Sequence, residues 1–114
     1  MCINEYDKNR FINEENKIQL IKGDANKTIP KYVESNKHLI VSLLYLDFDI
    51  YEPTVTALNT LLPRIPKGGV IAFDEVNNNQ WPGETIALIE QLGLRHNRLE
   101  CFEYEPNISF IQLD

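Results

Sequence analysis

Short apolar runs separated by polar punctuation organise this chain, and the spacing inside each run predicts its element. Lys17-Ile18-Gln19-Leu20-Ile21-Lys22 alternates well enough for a strand, which Gly23-Asp24 ends. From Thr28 the pattern predicts a short helix, with Thr28 as cap, Pro30 in the first turn and Ile29, Tyr32 and Val33 on one side. Leu39 to Leu46 is the most apolar stretch, and its length and β-branched content predict a strand covered on both faces. It stops abruptly at Asp47-Phe48-Asp49. Val55, Leu58, Leu61 and Leu62 then recur at helical spacing, giving a helix from about 53 to 63 closed by Pro63 and Pro66. After the turn Lys67-Gly68-Gly69, Val70-Ile71-Ala72-Phe73 forms a second buried strand, again ending in acids, Asp74-Glu75. A polar loop from Val76 to Gly83 leads to a helix from about 84 to 93, with Ile86, Leu88, Ile89 and Leu92 inside and Gly93 at its end. Leu99 to Tyr104 and Ile108 to Leu113 read as a terminal hairpin around Glu105-Pro106-Asn107.

Strand and helix alternate, so the fold class is α/β: a mostly parallel sheet with an antiparallel C-terminal hairpin. Residues 1–16 lack an apolar period and read as an irregular N-terminal segment, which leaves 17–114 as the folded part. A hydrophobic share of 43% and a charged share of 25% exclude the disordered class. A net charge of −6 argues against a nucleic-acid or anionic-membrane binder, both of which need a basic footprint. No apolar run approaches the roughly 18 residues of a membrane helix, and the polar Met1–Asp7 does not read as a signal peptide. Cys2 and Cys101 are too few for a disulfide scaffold and lack metal spacing, so they read as ordinary thiols and the expected location is the cytoplasm.

The chemistry is expected where the strands end, because ligands of open α/β sheets collect outside the carboxyl ends of the strands. Asp24 follows the first strand, Asp47 and Asp49 the second, and Asp74 and Glu75 the third. Parallel strands would gather these five carboxylates on one rim, where they repel one another unless a cation or a donor-rich ligand intervenes. Hard oxygen donors with access to water suit magnesium, calcium or manganese rather than zinc. Some of these acids could instead cap the helices that follow.

Three motif resemblances bear on this rim. Val70–Glu75 looks like a Walker B strand, but the chain has no Gly-x-x-x-x-Gly-Lys-Ser/Thr loop to hold phosphates. Leu46-Asp47-Phe48-Asp49 looks like the first motif of haloacid-dehalogenase phosphatases, yet Tyr51 stands where that motif has Thr or Val. The third is far more extended. Leu46-Asp47-Phe48-Asp49-Ile50-Tyr51-Glu52-Pro53-Thr54, a helix, and then Leu62-Pro63-Arg64-Ile65-Pro66-Lys67-Gly68-Gly69-Val70-Ile71-Ala72-Phe73-Asp74-Glu75 resembles the macrocin O-methyltransferase family of class I S-adenosylmethionine-dependent enzymes. The resemblance runs from about Ile18 to Leu113, nearly the whole chain.

That resemblance implies a Rossmann-like fold and O-methyl transfer from S-adenosylmethionine, assisted by Mg2+ or another hard divalent cation. The acceptor would be a hydroxyl of a small molecule, such as a sugar. It assigns Asp47, Asp74 and Glu75 to the metal, Asp47 and Asp49 to catalysis with Asp49 as candidate base, and Asp24, Ala25 and Asp47 to the cofactor. Glu75 stands where the family more often has Asp and is one methylene longer. The family's Gly-rich turn follows its first strand, whereas Gly23 is the first glycine here and matches the end of the third. In the family's sheet order, 3-2-1-4-5-7-6, the first two strands would separate Lys17–Lys22 from Leu39–Leu46. The expectation is therefore the C-terminal part of such a domain, binding cofactor weakly or not at all by itself, with bare strand edges that favour self-association. A non-catalytic remnant or interaction module is the alternative.

Two aromatic residues admit two readings each. Trp81 either walls the substrate pocket or packs under its own loop, and Tyr51 either lines the site or packs on the next helix. His38 and His96, in polar contexts, read as surface residues.

Overall fold

The computed structural model describes Glu5, Lys8, Asn9 and residues 17–114. The rest of the expected irregular segment 1–16, Cys2 included, lies outside the described residues. In chain order the elements are α1 (Ala25–Ser35), β1 (Leu43–Leu46), α2 (Tyr51–Leu61), a 3-10 turn (Leu62–Arg64), β2 (Val70–Phe73), α3 (Gly83–Gln91), β3 (Glu100–Phe102) and β4 (Glu105–Gln112). One sheet carries the strands in the order β1-β2-β4-β3, with β1 parallel to β2 and β4 antiparallel to both β2 and β3. Among the described strands the sheet is mixed: the expected antiparallel C-terminal hairpin joins a parallel pair, in the 4-5-7-6 order that the resemblance implies. No helix among the described residues is long and apolar enough to cross a membrane.

Alternation sorts the side chains into two faces. Leu44 and Leu46 of β1, Ile71 and Phe73 of β2 and Ile111 of β4 form one buried face, joined by Ala57 and Leu58 of α2 and Ala87 and Leu88 of α3. Burying each large side chain of that group contributes roughly 1.5–3 kcal/mol, so this layer dominates the stability. On the opposite face Leu43 and Tyr45 remain 60% and 47% exposed. Phe110, paired with Ala72, shares that face and tilts against Phe102 at 5.3 Å. The expectation that Leu39–Leu46 is covered on both faces is thus corrected, because the core helices α2 and α3 sit on one side only.

The ladder is also shorter than the apolar run. β2 begins only after the Gly68-Gly69 turn, so β1 finds ladder partners from Leu43 onward. Ahead of it, Val41 N donates to Arg64 O at 2.8 Å. Lys17–Lys22 pairs with no strand among the described residues, and Leu20 and Ile21 are about half exposed, which corrects the first strand expectation. Alternation alone does not make a strand, since backbone N–H and C=O groups need a neighbouring ladder.

Two helices begin differently from their sequence reading. Asp24, not Thr28, caps α1: its carboxylate accepts from Asn26 N at 3.0 Å, so the helix gains a turn and encloses Pro30. α3 turns inward with Gly83, Glu84, Ala87 and Leu88, leaving Ile86 and Ile89 at 43% and 49% exposure instead of the expected interior. The hairpin turn falls at Glu103-Tyr104, and Glu105-Pro106-Asn107 opens β4. Gly93 ends α3 as expected, at a positive φ of 74°.

Gly83 fixes how α3 meets α2. A Cβ there would lie 2.4 Å from Tyr51 N and 2.6 Å from Ile50 C, both backbone atoms that cannot swing aside. Gly83→Ala should therefore cost about 1–3 kcal/mol of stability. Urea unfolding measures it, and an unchanged midpoint would show that the two helix starts are not in tight contact.

Candidate functional site

Parallel register decides where the acids fall. Leu46 stands opposite Phe73, and Asp74 N donates to Leu46 O at 2.9 Å, so the ladder runs one step past the strand ends. Asp47 and Asp74 are the next neighbours, separated by roughly the 4.8 Å between adjacent strands. Leu46 and Phe73 point into the core, so alternation turns both aspartates to the other face. Asp49 reaches the same point through a backbone kink, with φ at 63° in the left-handed region that non-glycine residues rarely adopt. Carboxylate oxygens of Asp47, Asp49 and Asp74 lie within 4.8 Å of one another.

Neighbours hold this group in place. Tyr45, two residues before Asp47 on the same face, donates its hydroxyl to Asp74 Oδ1 at 2.5 Å, a diagonal cross-strand contact. That hydrogen bond, with lost hydration and the charges of Asp74 and Asp47, pushes the phenol up to about 12. Glu84, in the first turn of α3, is fully buried. Its Oε2 accepts from Asp49 N at 2.9 Å and its Oε1 from Glu75 N at 3.3 Å. Burial pushes the Glu84 carboxyl up, the two N–H groups pull it back, and the charges of Asp49 and Asp74 add to the rise.

Of the residues expected at the site, the structure brings together Asp47, Asp49 and Asp74. Glu75 is their neighbour in sequence but not part of that group, and its Oε2 accepts from Asn78 Nδ2 at 2.8 Å. Asp24 stands apart as the exposed cap of α1. Ala25 lines an open apolar cleft of about 470 Å³ together with Gly23, Ile29, Val33 and Phe48, the residue after Asp47. Tyr51 hydrogen-bonds Glu90 of α3, which resolves its alternatives towards packing on that helix. Trp81 is 47% exposed and so is not buried under its loop, and His38 and His96 are exposed.

Sequence reasoning missed Glu84 and Tyr45. The signal for Tyr45 was its position two before Asp47 in a strand. For Glu84 it was an acid in a first helical turn directly after a glycine, where the helix dipole favours negative charge. Chemically, three converging carboxylates form a hard anionic donor set of the kind that holds Mg2+ or Mn2+.

Residues 5–90 match the sequence profile of macrocin-O-methyltransferase (TylF). The chain belongs to that family. It superposes on CalS11, a TDP-rhamnose 3'-O-methyltransferase of calicheamicin biosynthesis, with a TM-score of 0.90 and 33% identity. That match covers 96% of this chain and 47% of CalS11, so the chain spans about half the length of the structure it resembles. Two further structures share the fold. MycE, a mycinamycin-pathway methyltransferase solved with Mg, SAH and mycinamycin VI, matches at TM-score 0.57 and 17% identity over 89% of this chain and 33% of its own. The O-methyltransferase NovP matches at TM-score 0.52 and 21% identity over 63% of this chain and 29% of its own. A search of curated proteins returns no match.

This acid group carries an electrostatic signature. A hydrogen bond to Asp74 holds the Asp47 carboxyl above its usual 3.8, and lost hydration and the charges of Asp74, Asp49 and Glu75 act in the same direction. Because the folded-state pKa is the higher one, folding takes up a proton between the two values, and stability falls as pH rises through that window. In cation-free buffer Asp47→Asn should raise the urea midpoint at neutral pH, and the gain should vanish below pH 3.8. Equal midpoints at neutral pH would show that the carboxylates do not repel one another.

Proposed function

We propose that this chain supplies the metal- and acceptor-binding half of an S-adenosylmethionine-dependent O-methyltransferase acting on a sugar hydroxyl. The observation that carries this reading is the convergence of Asp47, Asp49 and Asp74 at the carboxyl ends of two adjacent strands in a chain of the macrocin-O-methyltransferase family. The likeness to CalS11, whose substrate is a nucleotide-linked deoxysugar, supports a sugar as acceptor.

Asp47 and Asp74 would hold a hard divalent cation, each offering an oxygen without moving its strand. When bound, such a cation acidifies and orients the acceptor hydroxyl, while S-adenosylmethionine supplies an electrophilic methyl group. Asp49, third in the group and held through its own N–H, is the acceptor for the hydroxyl proton. Tyr45 keeps Asp74 oriented from the open face of the sheet. The apolar cleft beside Ala25 and Phe48 would receive the adenine, with Asp24 at its edge.

Methyl transfer from radiolabelled S-adenosylmethionine to a TDP-deoxysugar tests the proposal, using the product of the full reading frame that carries this chain. Transfer should require Mg2+, stop with EDTA, and fall in Asp74→Ala by more than the about 10–100-fold that losing a group behind a ligand costs. Transfer insensitive to both would overturn the metal assignment. Absence of transfer to any sugar hydroxyl would overturn the catalytic reading in favour of an interaction module.

A further inference from the structure

Buried acids are costly, and one is found where the two acid-bearing loops meet. Glu84 is 0% exposed, between Gly83 and the core residues Ala87 and Leu88 on the inward stripe of α3. An apolar residue would pack there without the desolvation penalty, which in proteins is several kcal/mol per ion. A buried charge is poor value for stability alone, so its return must lie in what it holds.

What it holds is specific. One oxygen takes the N–H of Asp49, itself a member of the acid group, and the other takes the N–H of Glu75, the residue directly after Asp74. The partners are 35 and 9 residues away along the chain, on separate loops. Gly83 lets α3 approach the Ile50–Tyr51 backbone closely enough for this reach, since no Cβ fits there. Charge-assisted hydrogen bonds of this kind are about twice as strong as neutral ones, enough to retain the left-handed Asp49 backbone at φ 63°. Among the described residues no other side chain hydrogen-bonds to both loops.

We infer that Glu84 is a positioning residue: a carboxylate clamp that fixes the spacing between the Asp47–Asp49 loop and the Asp74–Glu75 loop so that their acids bind one cation together. The inference rests on the metal reading above and adds a residue outside the ligand set. Glu84 touches neither cation nor substrate; it acts through the backbone of Asp49 and Glu75. Groups that orient metal ligands from behind cost 10–100-fold in affinity when removed.

Mn2+ titration of the chain, followed by the electron paramagnetic resonance of the free ion, provides the test. Glu84→Gln keeps the size and one acceptor oxygen but turns an amide towards the second N–H. Glu84→Asp keeps the charge but is one methylene short of spanning both loops. Both should raise the Kd for Mn2+ about 10–100-fold. Wild-type affinity in folded Glu84→Gln overturns the clamp, and wild-type affinity in Glu84→Asp shows that charge, not position, is what matters. If wild type binds no Mn2+, the metal reading fails and the clamp fails with it. Should either variant not fold by circular dichroism, amide exchange in wild type decides. Mg2+ should slow exchange at Asp49 and Glu75 together, and independent responses overturn the inference.

Discussion

The site depends on one geometric constraint, the in-register parallel pairing of Leu43–Leu46 with Val70–Phe73. Leu46 beside Phe73 brings Asp47 beside Asp74 with no help from loop conformation. The same pairing sends Leu44, Leu46, Ile71 and Phe73 into the core, so the interactions that stabilise the sheet also aim the acids. Stability and chemistry therefore share a single register, and neither can shift without the other.

Assembling carboxylates this way opposes folding, and the surroundings show how the opposition is met. Tyr45 donates to Asp74, Asn78 to Glu75, and the peptide N–H groups of Asp49 and Glu75 to Glu84. Each donor satisfies an oxygen that would otherwise face only like charge. The charges of Asp74, Asp49 and Glu75 add to the hydrogen bond and lost hydration that raise the Asp47 carboxyl, and a divalent cation would relieve that repulsion. The strained backbone at Asp49 and the missing side chain at Gly83 belong to the same arrangement.

Much of this was legible in sequence, for physical reasons that differ from residue to residue. The strand Val70–Phe73 and the acids after it were readable because a continuous apolar run bounded by Gly-Gly and Asp-Glu has few other solutions. The fold class followed from the alternation of such runs with helical spacing. Lys17–Lys22 misled because its period is a property of the segment, whereas a ladder is a property of two segments. Ile86 and Ile89 misled because hydrophobicity pointed one way while the contacts of Gly83 and Glu84 turned the helix another. For Glu84 the first-turn position after a glycine was the only sequence mark, because its partners are backbone groups, which every residue carries. Thr28 misled as the cap of the first helix because a cap is decided by which backbone N–H the side chain reaches, and Asn26 N donates to Asp24.

Because successive side chains of a strand alternate between faces, the placement of Asp47 has a parity. Inserting or deleting one residue within Leu43–Leu46 would not weaken the acid group by degrees. A deletion would turn Asp47 into the core position of Leu46 and bring Phe48 to the rim, and an insertion would bring Leu46 to the rim and carry Asp47 one step past it. A change of two residues would restore the facing and merely move the rim along. Variation in length is therefore tolerated in this strand only in even steps, and the architecture treats an odd one as an inversion.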